Sequence, residues 1–433
     1  MRLTPLVGAV AGLALVLTAC GGGSDDEKKP AETKAVALEG RGPITFVTGK
    51  DTSGNLQKQI DAWNAGHPNE TAKVIELSDK ADEQRNSMIQ NAQAKSDAYT
   101  VLNLDVVWTA EFAANRWIAE LPEADLGVDK LLKPTVETGK YFNKLYALPA
   151  DSDAGLLYYR KDLLTKAGIT EAPKTWKDLF AACDTIKAKV AEAKDAGCYG
   201  GQFDKYEGLT VNASEAINAG GGQVVDGATG KPNVNTPEAK AGLDVLVNAF
   251  KDGHITKKAI TYTEELGRAD FQAGNLLFHR QWPYQYALAQ DKKSSKVVGK
   301  FDVAPLPGVN GLGVSTLGGH NFAISEFAKN KATAVDFLKY MTSPEVEKAN
   351  ALVIGKAPSV AALYDDPEVV AKFPYMPALK TAIENAQGRP KAVKYGDVTT
   401  AIQEAAYGAL TGKTTTDQAL SDLQNKLVTL TAQ

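Results

Sequence analysis

The stretch VLNLDVVW, residues 101–108, decides how the chain is read. It is a short apolar run that ends on an acid, and amphipathic sequence follows it. The same unit occurs twice upstream: ITFVT (44–48) precedes an amphipathic stretch near 54–66, and AKVIEL (72–77) precedes another near 81–95. Strands alternating with helices predict a parallel, helix-covered sheet. Asp105 then closes a strand and places its carboxylate at the carboxyl end of a parallel sheet, where open α/β sheets bind ligands. The competing role for such a residue is to cap the following helix.

Downstream the alternation continues through YALPA (146–150) and GLLYYR (155–160). A long helical stretch then spans Thr175 to Ala196, in which Trp176, Leu179, Phe180, Cys183 and Ile186 keep helical spacing and are assigned to the core. Strand-like segments return at NLLFHRQW (275–282), KFDVAPLP (300–307) and GGHNFAIS (318–325), before helices over 330–343 and 344–353 and a helical tail. Two glycine-rich segments imitate phosphate loops. AGGGQVVDGATGKP (219–232) follows a helix and reads as a helix stop with a hairpin turn. GALTGKT (408–414) is one residue too short for GxxxxGK[ST]; Gly412 reads as a helix C-cap, with Thr415 or Thr416 the next N-cap. There is no GxSxG, HExxH or EF-hand loop, and no repeat of fixed period.

The beginning of the chain is of another kind. In LVGAVAGLALVLTACGGGSDDEKKP (6–30) the apolar run is shorter than the roughly 20 residues a spanning helix needs, and it follows a lone Arg2, as in a signal peptide. Leu17 to Cys20 resembles the bacterial lipobox, which implies cleavage before Cys20 and attachment of lipid to its thiol. Residues 21 to about 40 lack a periodic apolar pattern and read as a flexible tether with a reach of about 25 Å. Removing residues 1–19 takes only Arg2 from the 48 basic side chains, so the 52 acidic ones exceed the rest by five. No basic surface for nucleic acid is expected. About 390 folded residues exceed one ordinary core, so two domains are expected. Cys183 and Cys198 remain as an even pair in an exported chain and are assigned to a disulfide; scattered histidines without CxxC or HxxxH spacing make zinc the weaker alternative, and neither metal nor cofactor is expected.

The order of the lipobox, LDVVWTAEFAANRWIAEL (104–121), DAGLLYYRKDLLTKAG (153–168), ADFQAGNLLFHRQWPYQY (269–286), FDVAPLPG (301–308), TLGGHNFAIS (316–325) and AVDFLKYMTSPEVEKA (334–349) resembles the extracellular solute-binding proteins of sugar ABC importers. Within these it is most similar to the trehalose/maltose-binding branch. The resemblance covers essentially the whole mature chain. It implies two α/β lobes, each a mostly parallel sheet flanked by helices, with a hinge and a ligand cleft between them. On that basis the signal peptide is 1–19, the tether 20–41, the N-terminal lobe 42–150 plus 308–352, and the C-terminal lobe 151–307 plus 353–433. The crossings are expected near Ala150–Asp153 and Pro305–Gly308.

The resemblance also assigns ligand contacts: Asp105 and Asp153 to sugar hydroxyls, Trp282 to stacking with Tyr284 beside it, Arg389 to closing the cleft, and Asp51, Thr52 and Arg85 to further contacts. A sugar offers apolar C–H faces to aromatic rings and a rim of hydroxyls to planar polar groups, so these residue types suit it. Gly318 and Gly319 would let backbone approach a ligand closely. His320 stands where similar proteins carry an aromatic residue, often Trp. The implied activity is binding without turnover by a monomer, which sits lipid-anchored on the extracytoplasmic side of the cell membrane and delivers a disaccharide or oligosaccharide to permease subunits. A secreted glycoside hydrolase using Asp105 and Asp153 as paired carboxylates is the alternative from another class. A surface adhesion or structural lipoprotein, which would bind no small molecule, is a third.

Overall fold

The computed structural model describes residues 38–51, 54–226 and 229–431. The signal segment, Cys20, nearly all of the tether and Thr52 therefore lie outside the described residues. Among the described residues eleven strands follow in chain order: β1 (Ile44–Thr48), β2 (Ala72–Glu76), β3 (Val101–Asp105), β4 (Lys140–Tyr141), β5 (Lys144–Leu145), β6 (Ala147–Ala154), β7 (Leu156–Tyr159), β8 (Gly197–Gly200), β9 (Leu276–Gln281), β10 (Asp302–Ala304) and β11 (Leu317–Ile324). They form a five-stranded sheet in the order β2-β1-β3-β11-β6, a four-stranded sheet in the order β10-β7-β9-β8, and the hairpin β4-β5.

The alternation of side chains about the first sheet explains why helices cover both faces. Ile44, Phe46 and Val101 pack with Ile60 and Trp63 of the helix Leu56–Gly66 and with Phe337 of the helix Lys331–Met341. Val47, Leu102 and Leu104 point the other way, toward Met88 of the helix Ala81–Gln93. In the second sheet β8 and β9 are buried throughout, and the helix Glu207–Ala219 has 12 of its 13 residues buried.

The two-lobed α/β reading holds, with one correction. The sheets are mixed, not mostly parallel: β1 pairs parallel with β2 and β3, and β8 with β9, but β11 pairs antiparallel with β3 and β6, and β7 with β9 and β10. The cause is the passage of the chain between sheets. β6 leads directly into β7, and β11 enters the first sheet after β10 of the second, so neither joins by the helical crossover that parallel pairing requires. The first passage falls at Gly155, whose amide donates to Ser315 Oγ at 2.5 Å. A Cβ there would meet Arg280 Nη2 at 2.6 Å and Glu215 Oε1 at 2.7 Å, so glycine makes room for that ion pair. β10 is shorter than KFDVAPLP suggests because Pro305 and Pro307 carry no donor for a ladder.

Other readings hold locally. The glycine cluster ends its helix and turns a hairpin, with the Asp226 amide donating to the Lys231 carbonyl at 2.8 Å. Gly412 takes a positive φ of 71°, and Thr415 Oγ1 caps the next helix by accepting from the Gln418 amide at 3.2 Å. The stretch Thr175–Ala196 is one helix only over Trp176–Lys189; extended Val190 breaks it and turns the chain toward β8. Cys183 on that helix is disulfide-bonded to Cys198 on β8, Cα to Cα 5.5 Å, and both are fully buried. Replacing both cysteines by serine is expected to cost about 3 kcal/mol through the freed loop. Urea unfolding with and without the substitutions measures that difference, and ligand affinity should be unaffected.

Candidate ligand-binding cleft

A cleft of about 320 Å³ lies between the two sheets, within the range of small-molecule sites. Thr48, Asn103, Asp105 and Trp108 line it from the first sheet, and Tyr206, Glu207, Trp282 and Tyr284 from the second. Asp153, Gly318, Gly319 and His320 lie where β6 and β11 run side by side.

The aromatic corner is built from below. β9 ends at Gln281, and Pro283 turns the chain so that Trp282 and Tyr284 both reach the cleft. Tyr158 Oη donates to the carbonyls of Trp282 at 3.0 Å and Pro283 at 3.1 Å, which fixes the turn. The Arg280 guanidinium lies 3.8 Å from the Trp282 ring centroid. That cation is itself held, donating to Glu215 at 2.7 and 2.5 Å and to Gln202 at 3.1 Å. A Cβ on Gly318 would lie 2.8 Å from the indole, so this glycine makes room for Trp282. Gly319, at φ 110°, passes so close to the Asp151 carbonyl that a Cβ would sit 2.5 Å from its oxygen. Both glycines thus accommodate protein groups. Tyr284 Oη donates to Glu265 at 2.8 Å.

At one end of the cleft Arg389 joins the lobes. Its Nη2 donates to Asp105 Oδ1 at 2.7 Å, and its Nη1 donates to Asp105 Oδ2 at 3.1 Å and to Glu207 Oε1 at 2.5 Å. Glu207 also accepts from Tyr395 Oη at 2.5 Å and Thr399 Oγ1 at 2.7 Å. Burial pushes the Glu207 carboxyl up to about 7 against the pull of Arg389. The fork of Arg389 therefore rests on carboxylates, and Asp105 is an acid already paired.

Between the lobes a second charged group forms around Asp151. Lys356 Nζ lies 2.7 Å from Oδ2, while the His320 amide donates to Oδ1 at 2.9 Å and His320 Nδ1 lies 3.1 Å from it. Burial opposes the charge on Asp151, but Lys356 and His320 outweigh it and hold this acid well below the usual carboxylate range. Burial also disfavours the His320 imidazolium, and Asp151 more than compensates, so its pKa is raised. Asp153 behaves oppositely: burial first and the Asp151 charge second push it up to about 7.

Of the residues singled out in the sequence, Asp105, Asp153, Trp282, Tyr284, Gly318, Gly319, His320 and Arg389 converge here. Asp51 borders the adjoining part of the cleft, where its Oδ2 accepts from the Leu56 amide at 3.1 Å at the start of a helix. Arg85 is not brought to the cleft; it donates to Glu111 at 2.8 and 2.5 Å and lies against Gly396. Sequence reasoning missed Glu207, Tyr206, Glu264, Asp151 and Lys356. For Glu207 there was a signal: in EGLTVNASEAINA the two acids, eight residues apart, share one face of an otherwise uncharged helix. Among the described residues no group of three or more His, Cys, Asp and Glu is placed to hold a metal ion.

Two α/β lobes enclosing a cleft lined by aromatic rings and carboxylates define a binding protein that surrounds a small solute. The chain belongs to the bacterial extracellular solute-binding protein family, whose sequence model matches residues 49–348. A Deinococcus radiodurans protein named as a probable ABC transporter-binding protein is 35% identical over 381 residues, covering 86% of this chain and 89% of that one. The structure titled maltose-bound T. maritima MalE3 is 32% identical with a TM-score of 0.84, covering 90% of this chain and 99% of the other. The unliganded and acarbose-complexed GacH receptor of Streptomyces glaucescens, at 22% identity and a TM-score of 0.80 over 91% of this chain and 99% of that one, shares the fold. The chain is a solute-binding protein of the ABC-transporter class and not an enzyme.

The elevated Asp153 makes a signed prediction. Its folded pKa of about 7 lies above the ordinary 3.8, so its ionisation opposes folding as pH rises from about 4 to 7 and costs nothing below that window. Asp153→Asn should therefore stabilise the ligand-free protein at pH 8, on the order of 2 kcal/mol, with the difference vanishing at pH 4. Denaturant midpoints at the two pH values test it.

Proposed function

We propose that the solute is an α-glucoside of the trehalose or maltose type, bound between the lobes and handed to a membrane permease. The observation that carries this reading is Trp282, an indole backed by Arg280 at 3.8 Å and set beside Asp153, Tyr284 and the paired Asp105. An indole face suits the C–H face of a pyranose, and the surrounding carboxylates suit its hydroxyls. The similarity to a maltose-bound T. maritima protein at 32% identity supports the same class. Binding is accompanied by rigid-body closure of one lobe on the other about the strands that pass between the sheets.

Glycoside hydrolysis is not supported. The matched family and the Deinococcus radiodurans relative are named as binding proteins, and both carboxylate oxygens of Asp105 accept from the Arg389 fork. We further propose that Cys20, once exposed by cleavage, carries the lipid that anchors the mature monomer outside the cell membrane. The support is the lipobox-like run Leu17 to Cys20, and two or more acyl signals make such an anchor stable.

Calorimetric titration of the mature chain with trehalose, maltose and maltotriose should show saturable binding and no release of glucose. Trp282→Ala should weaken the bound sugar by about 1–3 kcal/mol while the far-ultraviolet dichroism is retained. An unchanged affinity would remove Trp282 from the site. Absence of saturable binding by every α-glucoside would overturn the reading as a whole.

A further inference from the structure

The end of the first sheet away from the cleft carries two features that sugar binding does not use. Thr48, Asp105, Asp153 and His320 mark the cleft end of its strands, and Ile44, Val101, Ile324 and Ala147 mark the far end. At that far end the described chain begins. Leu38 packs on the core, and the carbonyls of Glu39 and Gly40 accept from the Lys331 and Ala332 amides at 3.0 and 3.1 Å. The residues before it, read from the sequence as a tether, reach about 25 Å.

The second feature is the hairpin β4-β5, which enters β6 at the same end. In the order β1-β3-β11-β6 that entry stands three strand spacings, about 14 Å, from the start of β1. The turn residues are Phe142 and Asn143, at φ 46° and 58°. Such a turn favours Asn, Asp or Gly at both positions, and a bulky side chain there is strained. Phe142 is also 76% exposed, the most exposed large apolar side chain among the described residues. Its ring meets Tyr141 at 4.5 Å, and Tyr141, Tyr146 and Trp117 lie half-buried over the core on one face of the sheet. The neighbouring lysines are neutralised, Lys140 Nζ 2.9 Å from Glu123 and Lys144 Nζ 2.7 Å from Glu120.

An aromatic tip with balanced charge, at the end of the lobe where an anchored chain enters, suits the interface of a lipid bilayer, where aromatic rings sit at headgroup level. We propose that Phe142 dips into the membrane surface beside the anchor. This second contact turns the far end of the first lobe toward the bilayer and its cleft toward the solute. The proposal rests on the reading of Cys20 as the lipid-bearing residue. Strain kept at an exposed turn is then offset by a contact made outside the protein.

The test uses the mature chain, residues 20–433, in which the disulfide leaves Cys20 as the one free thiol of three cysteines, joined there to a single acyl chain. One chain gives only marginal membrane binding, so a second contact is readable. Sedimentation with phosphatidylcholine vesicles, with and without phosphatidylglycerol, should show partitioning about ten-fold stronger than for Phe142→Asn, and equal at low and high salt. Phe142→Trp should partition like the unaltered chain. Phe142→Asn should keep its saccharide affinity and unfold at a higher temperature, because Asn suits the turn; a merely structural role for Phe142 would lower that midpoint. Equal partitioning of Phe142→Asn and the unaltered chain overturns the proposal, and slower sugar uptake by cells carrying Phe142→Asn would then assign the tip to a protein partner. An advantage confined to anionic vesicles overturns it in favour of charge attraction. Absence of acyl groups on Cys20 in the native membrane fraction overturns the anchor and the proposal together.

Discussion

The guanidinium of Arg389, only 2% exposed, lies between Asp105 at the end of β3 and Glu207 at the start of a helix that packs on the other sheet. Three charges from positions 105, 207 and 389 are thereby brought out of water together. Isolated burial of any one of them would cost several kcal/mol, and only the forked geometry, with hydroxyl donors from Tyr395 and Thr399 on Glu207, makes the set tolerable. The same contact fixes how far apart the two sheets stand at that end of the cleft. The position of Asp105 and one wall of the cleft both follow from this one cation.

The opposite part of the cleft relies on a comparable device with a different purpose. Arg280 is also buried and paired, but it spends its planar face on Trp282. Glu215, which holds Arg280, accepts as well from the amide of Thr316, just before β11, and from Ser315 Oγ at 3.3 Å. Ser315 in turn accepts from Gly155 at the first passage between the sheets. The Trp282 indole and both passages thus share one network. A solute that presses on the indole presses on the strands about which the lobes would turn.

Much of this was legible before any coordinates. Short apolar runs spaced by amphipathic stretches are local signals, so the strands around Phe46, Val74, Leu102 and Phe278 appear where the pattern puts them. Trp282 and Tyr284 were assigned by the resemblance to sugar-binding proteins, and both line the cleft just after β9. Pairings were not legible. Arg85 and Arg389 look alike as isolated basic residues, and only tertiary packing decides that one is neutralised by Glu111 outside the cleft and the other bridges the lobes. The same holds for Asp151, two residues from the predicted Asp153: successive alternate residues of a strand share a face, yet Lys356 and His320 give one an ionised carboxylate while its neighbour resists ionisation. The mixed sheets were missed because strand direction depends on how a chain returns from the other lobe, which no local period records.

In the proposed function a saccharide sits between the lobes against Trp282. The most direct measurement is a crystal structure of the mature chain with the disaccharide that titration finds to bind. The expected result is a pyranose ring packed on the Trp282 indole, hydroxyls within hydrogen-bond distance of Asp153, and Arg389 still spanning Asp105 and Glu207. A saccharide bound elsewhere on the protein, with the space beside Trp282 filled by solvent alone, would contradict it.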